Sequence, residues 1–335
     1  MTAAPAVSVV LPVRNAEATL GSALRSIQRQ AWRDFECLVV DDGSSDGSPA
    51  IVAEWARRDA RFRRLAVAGS GVAAAAMTGV AAARAPLIAR MDADDVMHRR
   101  RLTRQVAALL DASLAGVGTH VRFFPRGAVG PGMARYEAWL NSLRHADDVA
   151  RDRFVECPLA NPSLMLRRDV LLQYPWRACG WPEDYDLILR LHDAGARLGV
   201  LPQRLHGWRH GPGRLTTDHP DYALSRFVAC KAHYLASGWL GARRRYVLWG
   251  YGSTGRALRA ALLEEGRAPS HIVELHPGRV GNRIHGAPVV RPEALRDPGL
   301  RPVVVSVAGA VARERIRAVV GAMGLVEGVD FVCAA

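Results

Sequence analysis

Three carboxylates fall within four residues in the run Met91-Asp92-Ala93-Asp94-Asp95. Residues two apart in extended chain point the same way, so Asp92 and Asp94 share a side. Asp95 directly follows Asp94 and faces a different partner in a turn. Hard oxygen donors of this kind suit Mg²⁺ or Mn²⁺ held together with substrate phosphates. A diphosphate leaving group gains from such an ion, which neutralises charge as the bond to it breaks. The competing reading is a solvated acidic loop that begins a helix near Val96, a place Asp favours on its own account.

Further groups carry chemistry. Asp41 and Asp42 close a strand-like run. Glu183 and Asp184 open a helical run, where the helix dipole alone favours acids. Arg209, His210 and Arg214 lie in a stretch rich in glycine and proline, read as a loop over residues 207–220. Arginine makes forked contacts to phosphate, and His210 is a candidate metal ligand beside solvated alternatives. Gly250-Tyr251-Gly252-Ser253-Thr254-Gly255 sits between a strand and a helix, the context of a phosphate-binding turn. Glu274 follows about 20 residues later, where a dinucleotide fingerprint wants an acid for a ribose. A structural reading weighs equally: the glycines permit a tight turn and close helix packing.

These groups need a scaffold. Apolar β-branched runs predict strands at 7–12, 35–40, 65–67 and 86–91. Helical spacing predicts helices at 16–30, 49–61, 72–84 and 101–110. Alternation of the two predicts a mostly parallel sheet with helices on both faces. Ligands bind beyond the carboxyl ends of strands in such sheets, where Asp41, Asp42, Asp92, Asp94 and Asp95 fall. Residues 116–160 give weaker signals, with a helix at 136–143 and a loop or edge strand around Phe123-Phe124. A strand at 163–166 and helices at 184–194 and 222–237 follow. A second α/β pattern begins with a strand at 246–249. It continues with a helix at 256–265, strands at 271–275 and 303–308, and a helix at 312–323. The boundary falls in the glycine- and arginine-rich stretch 238–245, giving domains 1–238 and 239–335.

The chain has 335 residues, a formal charge of +13 and 49% hydrophobic residues. Lys231 is its single lysine. The arginines are scattered through helical patterns and form no basic arm, which argues against nucleic acid and leaves anionic membranes, phosphorylated substrates, or, with equal weight, a plain codon bias for arginine over lysine. The five cysteines form no CxxC pair or zinc spacing and read as free thiols in a reducing compartment. No run of about 18 apolar residues exists, so no membrane-spanning helix is expected. A cytoplasmic protein with room for peripheral contact at the inner face of the membrane is the reading.

Four segments resemble the family 2 glycosyltransferases of the GT-A fold over about residues 6–235: Val9-Val10-Leu11-Pro12-Val13-Arg14-Asn15, Val40-Asp41-Asp42-Gly43-Ser44, Ile88-Ala89-Arg90-Met91-Asp92-Ala93-Asp94-Asp95 and Gly180-Trp181-Pro182-Glu183-Asp184-Tyr185-Asp186. Their order and spacing together are specific where one alone is weak. The resemblance implies that Pro12, Val13, Arg14, Asp41 and Asp42 line a nucleobase pocket and that Arg90 lies near the nucleotide. It implies that Asp92, Asp94 and Asp95 hold ribose and metal-bound diphosphate, with Arg209 and Arg214 over the diphosphate. Asp184 would be the general base of an inverting displacement and Glu183 its helper. The implied cofactor is Mg²⁺ or Mn²⁺, the donor a nucleotide-diphosphate sugar, and the acceptor a carbohydrate or lipid-linked hydroxyl in cell-surface polysaccharide or glycolipid assembly. The chain departs from the pattern at Ala76-Met77-Thr78-Gly79, Asn161-Pro162 and Gly211. Those departures keep a non-catalytic nucleotide-sugar sensor open. The C-terminal segment resembles small Rossmann-like nucleotide-sugar or CoA-binding modules, and its glycines Gly250, Gly252 and Gly255 with Glu274 keep an NAD(P)-dependent oxidoreductase as a further rival.

Overall fold

The computed structural model describes residues 4–211 and 219–335. They group into two compact units, one of residues 4–150, 159–179 and 190–211, the other of residues 151–158, 180–189 and 219–335.

The first unit is built on an eight-stranded sheet. Its strands are β1 Val7–Val13, β2 Phe35–Asp42, β3 Phe62–Val67, β4 Leu87–Arg90, β5 Val96–Met97, β6 Leu114–Phe124, β7 Met165–Arg167 and β8 Arg197–Arg209. They lie in the order β3-β2-β1-β4-β7-β6-β8-β5. β3, β2, β1 and β4 run parallel, and β7 is antiparallel to both β4 and β6. The sheet is therefore mixed and mostly parallel, as the alternating pattern predicts. Helices α1 Glu17–Gln28, α2 Ser48–Arg58, α3 Val72–Ala82 and α4 Arg101–Ala108 follow the first strands, and α5 Pro131–Leu140 follows β6.

Alternation along β1 explains the two-faced core. Val7, Val9, Leu11 and Val13 pack with Leu20, Leu24 and Ile27 of α1. Val10 faces the other way, toward α3. A Cβ at Gly79 of α3 would lie 2.5 Å from Val10 Cγ1 and 3.3 Å from Val40 Cγ2, so the glycine lets α3 settle onto the sheet.

Three expectations need correction. Asp92–Asp95 does not open a helix near Val96; it leads into β5, and α4 begins at Arg101. Phe123 and Phe124 close an interior strand, since β6 lies between β7 and β8. Arg209 belongs to the end of β8 and not to a loop.

α6 Ala146–Asp152 precedes β7 in the chain, α7 Arg168–Gln173 follows it, and α8 Glu183–Asp193 precedes β8. The second unit holds the first turns of α8, then α9 Leu224–Tyr234 and a π-turn at Leu235–Trp239. Its sheet comprises β9 Arg245–Trp249, β10 Ala268–Val273, β11 Arg283–Ile284, β12 Ala287–Val290, β13 Val303–Val305 and β14 Phe331–Cys333, in the order β11-β12-β10-β9-β13-β14. β12, β10, β9, β13 and β14 are parallel neighbours. α10 Ser253–Glu264 follows β9, and α11 Ala310–Ala322 follows β13.

All five cysteines are free, and four are buried. Among the described residues, no helix is long and apolar enough to cross a membrane.

Candidate active site

The acidic run leaves the carboxyl end of β4. Each of Asp92, Asp94 and Asp95 offers one carboxylate oxygen, and these atoms lie within 4.8 Å of one another. Asp92 and Asp94 are half-buried, and Asp95 is fully buried. Three hard oxygen donors converging from one short turn fit Mg²⁺ or Mn²⁺, with room left for phosphate oxygens in the coordination shell.

A buried charge needs partners, and Asp95 has them. Its Oδ1 accepts the Arg209 backbone N–H at 2.7 Å. Its Oδ2 lies 2.9 Å from His206 Nε2. On the far side of the ring, Arg101 Nη1 is 3.2 Å from His206 Nδ1. Arginine only donates, so Nδ1 accepts and the proton on Nε2 goes to Asp95. Arg101 is itself fully buried and donates to the carbonyls of Arg90 and Leu164 and to Gln105 Oε1. Burial draws its pKa down to about 9, while Asp95 and Asp92 hold it up, so the guanidinium stays charged at neutral pH.

The remaining contacts tighten the turn. Arg90 pairs with Asp92 Oδ1 at 2.7 Å and also donates to the Met91 carbonyl. Arg209 Nε donates to the Asp94 carbonyl at 2.6 Å, and its guanidinium lies 4.6 Å over the Phe124 ring. Arg209 therefore braces the acidic turn through its backbone N–H and its guanidinium Nε. His210 stands outside the acidic group: its N–H donates to the Phe124 carbonyl at 2.7 Å, and its ring lies 6.2 Å from Phe123. Arg214 lies outside the described residues.

Two loops at the carboxyl ends of β1 and β2 are laced together. Asn15, at φ 49°, donates its N–H to Ser44 Oγ and accepts from Ser45 N–H at 2.8 Å. Ala16 N–H donates to Ser48 Oγ, Glu17 N–H to Asp46, and Gly47 N–H to Glu17. This lacing fixes the segment that carries Pro12, Val13 and Arg14 against the one that carries Asp41 and Asp42. Arg14 is exposed, and Asp41 and Asp42 are buried. Asp41 accepts from Ser44 N–H and Arg64. Asp42 accepts from Ser70 N–H, Ser70 Oγ–H and Gly71 N–H, at the N-terminus of α3. Both carboxylates thus order neighbouring loops, and each keeps further lone pairs.

In the second unit, Glu183 and Asp184 occupy the first turn of α8. Glu183 is buried and accepts from the Tyr222 hydroxyl. Asp184 is half-buried, with Oδ1 accepting from Tyr185 N–H. Asp186, which sequence reasoning passed over, is fully buried and accepts from Trp181 Nε1–H at 3.2 Å and the Tyr234 hydroxyl at 2.6 Å. Tyr185 is held between the Arg153 carbonyl and the Phe227 ring. The first turn is pinned on both sides of Asp184.

The glycine turn of the second unit is tightly built. Gly250 has φ 95°, and a Cβ at Gly255 would lie 2.2 Å from the Gly250 carbonyl oxygen. A Cβ at Gly252 would meet nothing within 4 Å beyond its chain neighbours. Glu274 Oε1 accepts from Tyr251 N–H at 2.9 Å and from Arg279 at 3.0 Å. The acid that the fingerprint assigns to a ribose thus closes the glycine turn itself.

Comparison with known proteins agrees with this architecture. The family described as Glycosyl transferase family 2 matches residues 8–174. The "putative glycosyltransferase EpsE" of Bacillus subtilis (strain 168) is 33% identical over 242 residues, which cover 69% of this chain and 84% of EpsE. EpsJ of the same strain, an uncharacterized glycosyltransferase, is 28% identical over 221 residues; the match spans 63% of this chain and only 63% of EpsJ. Among solved structures, S. aureus TarS 1-349 in complex with UDP-GlcNAc superposes with a TM-score of 0.55 at 16% identity, covering 76% of this chain and 71% of that one. The mannosyltransferase PcManGT from Pyrobaculum calidifontis, in complex with GDP-Man and Mn²⁺, gives 0.52 at 19% identity, covering 79% and 70%. At these identities the structural likeness speaks for a shared GT-A fold. The sequence relatives carry the family, and the chain belongs to glycosyl transferase family 2.

Proposed function

We propose that this chain transfers a sugar from a nucleotide-diphosphate donor to an acceptor hydroxyl, with inversion at the anomeric carbon. The observation that carries the reading is the convergence of Asp92, Asp94 and Asp95 at the carboxyl end of β4. Support comes from the structurally similar TarS in complex with UDP-GlcNAc and PcManGT in complex with GDP-Man and Mn²⁺.

In this reading Asp94 and Asp95 hold Mg²⁺ or Mn²⁺, and Asp92 meets the ribose. The bound ion supplies charge neutralisation for the departing diphosphate. The laced loops around Asn15 and Ser45 present Pro12, Val13, Asp41 and Asp42 to the base, and Arg90 steadies Asp92. Asp184 takes the proton of the acceptor hydroxyl while that oxygen attacks the anomeric carbon. The sugar–phosphate bond breaks on the opposite face, and a nucleoside diphosphate leaves with the bonding pair. Glu183, held by Tyr222, orients the turn that carries Asp184. The acceptor is a carbohydrate or lipid-linked hydroxyl, and the setting is polysaccharide or glycolipid assembly.

A donor panel with Mn²⁺ tests this. Metal-dependent release of nucleoside diphosphate from one donor supports transfer. A donor that raises the melting temperature by mass action but is never turned over, with any acceptor tried, makes the chain a nucleotide-sugar sensor instead.

A further inference from the structure

A cleft of about 1090 Å³ lies in the first unit between the C-terminal half of α1 and the segment from Val96 to Arg99. Arg25, Arg29, Arg33, Arg99 and His98 line it, and no carboxylate does. The walls are fixed to each other. Ser26 Oγ accepts from Met97 N–H at 3.0 Å, Gln30 Nε2 donates to the His98 carbonyl at 2.9 Å, and Ala31 N–H donates to the Arg99 carbonyl at 2.7 Å.

The four arginines are exposed. Arg33 donates to the Gln28 carbonyl. Arg25 and Arg29 stand one helical turn apart, a spacing at which like charges repel. The C-terminal end of the helix dipole offsets this only in part. Several arginines elsewhere in this unit meet acids, as Arg61 meets Asp59 and Arg63 meets Glu36. A concave wall of cations without an acid among its lining residues is arranged for an anion from outside.

The form of the cleft selects among anions. A single small phosphate is gripped by convergent, buried donors, whereas these cations are exposed and spread along a helix and the strand segment facing it. No aromatic side chain lines the cleft, so the stacking surface on which single-stranded nucleic acid depends is missing. Several separated phosphates presented on one surface match the pattern. We propose that this arginine cleft docks the chain on an anionic membrane by receiving phosphate headgroups. The proposal concerns a surface outside the acidic cluster and stands whether or not sugar transfer is the activity.

The test is co-sedimentation of the full chain with vesicles of phosphatidylcholine, with and without phosphatidylglycerol. Binding should require phosphatidylglycerol and fall with salt. Each arginine near an anionic surface contributes about a fivefold factor, so Arg25→Ala/Arg29→Ala/Arg99→Ala should weaken binding by about 100-fold. Lysine at the same three positions should restore most of it, because the effect is one of charge. Arg243→Ala/Arg244→Ala/Arg256→Ala, which removes three exposed arginines of the second unit, should bind as the parent does. Equal losses in both alanine triples would overturn the proposal, since net charge alone would then explain binding. Arginine-dependent binding of inorganic pyrophosphate without any binding to vesicles would overturn it in favour of a soluble ligand.

Discussion

His206 Nε2 stands 2.9 Å from Asp95 Oδ2, across 111 positions of sequence, and neither side chain touches solvent. The pair joins the end of β8 to the acidic turn after β4, and Arg101 on the far side of the ring fixes its tautomer. Partners of this kind orient carboxylate ligands, and their loss typically costs 10–100-fold in metal affinity. His206→Leu should therefore weaken Mn²⁺ binding by about that factor while donor-independent folding persists. Titration calorimetry with Mn²⁺ alone decides it; an unchanged dissociation constant would show that the ring only fills space.

That relationship also marks how far the sequence could be read. The parallel half of the first sheet was legible because Val7–Val13 and Phe35–Asp42 are apolar and β-branched, and they end where polar residues begin. β8 was not. Arg197–Arg209 carries three arginines, Pro202, Gly199 and Gly207, and its pairing with β6 shifts register near His120, so no clean alternation survives. Only its last residues, 207–209, fall in the stretch that reads as loop; 197–206 give no element signal, and nothing in the sequence singles out His206. Arg101 was equally hidden: an arginine at a helix start reads as surface, and only the meeting of Arg90, Leu164, Gln105 and His206 around it explains its burial. Acid types and their order were visible in the sequence; what holds them was not.

Asp184 gives a second test. As a general base it contributes about 10²–10⁴-fold, whereas a carboxylate that only begins a helix contributes to stability alone. Asp184→Asn should lose turnover by that factor and keep the thermal shift given by donor and Mn²⁺. Turnover within threefold of the parent would remove Asp184 from the base role.

Glu36 should set part of the acid limit of stability. The side chain is buried, and burial alone would raise its pKa. The Arg84 N–H, the Ser8 hydroxyl and the guanidinium groups of Arg63 and Arg84 outweigh that and hold it below the ordinary carboxylate value. A carboxylate depressed in the folded state stabilises above its unfolded pKa, and the contribution fades as pH falls through the folded one. Glu36→Gln should cost about 1–3 kcal/mol at neutral pH, the scale of hydrogen bonds to a charged group, and less as the pH falls below the ordinary carboxylate range. Urea unfolding at neutral and acidic pH measures both; a constant difference between the proteins would rule out the linkage.

The glycine turn of the second unit separates packing from ligand binding. A Cβ at Gly255 would meet the Gly250 carbonyl at 2.2 Å, a backbone atom that cannot swing aside. Gly255→Ala should therefore destabilise the fold by about 1–3 kcal/mol, as overpacking does. Gly252, at φ −75° and with open space within 4 Å of where a Cβ would stand, should accept alanine with little change in stability. That asymmetry makes Gly252→Ala the informative variant for any nucleotide found to raise the melting temperature. If the turn receives a phosphate, the added methyl stands at the N-terminus of α10 in its way, and the nucleotide's thermal shift should vanish while the unliganded melting temperature holds. A shift that survives Gly252→Ala would place the nucleotide elsewhere and leave the three glycines to packing, with Glu274 closing their turn through Tyr251 N–H.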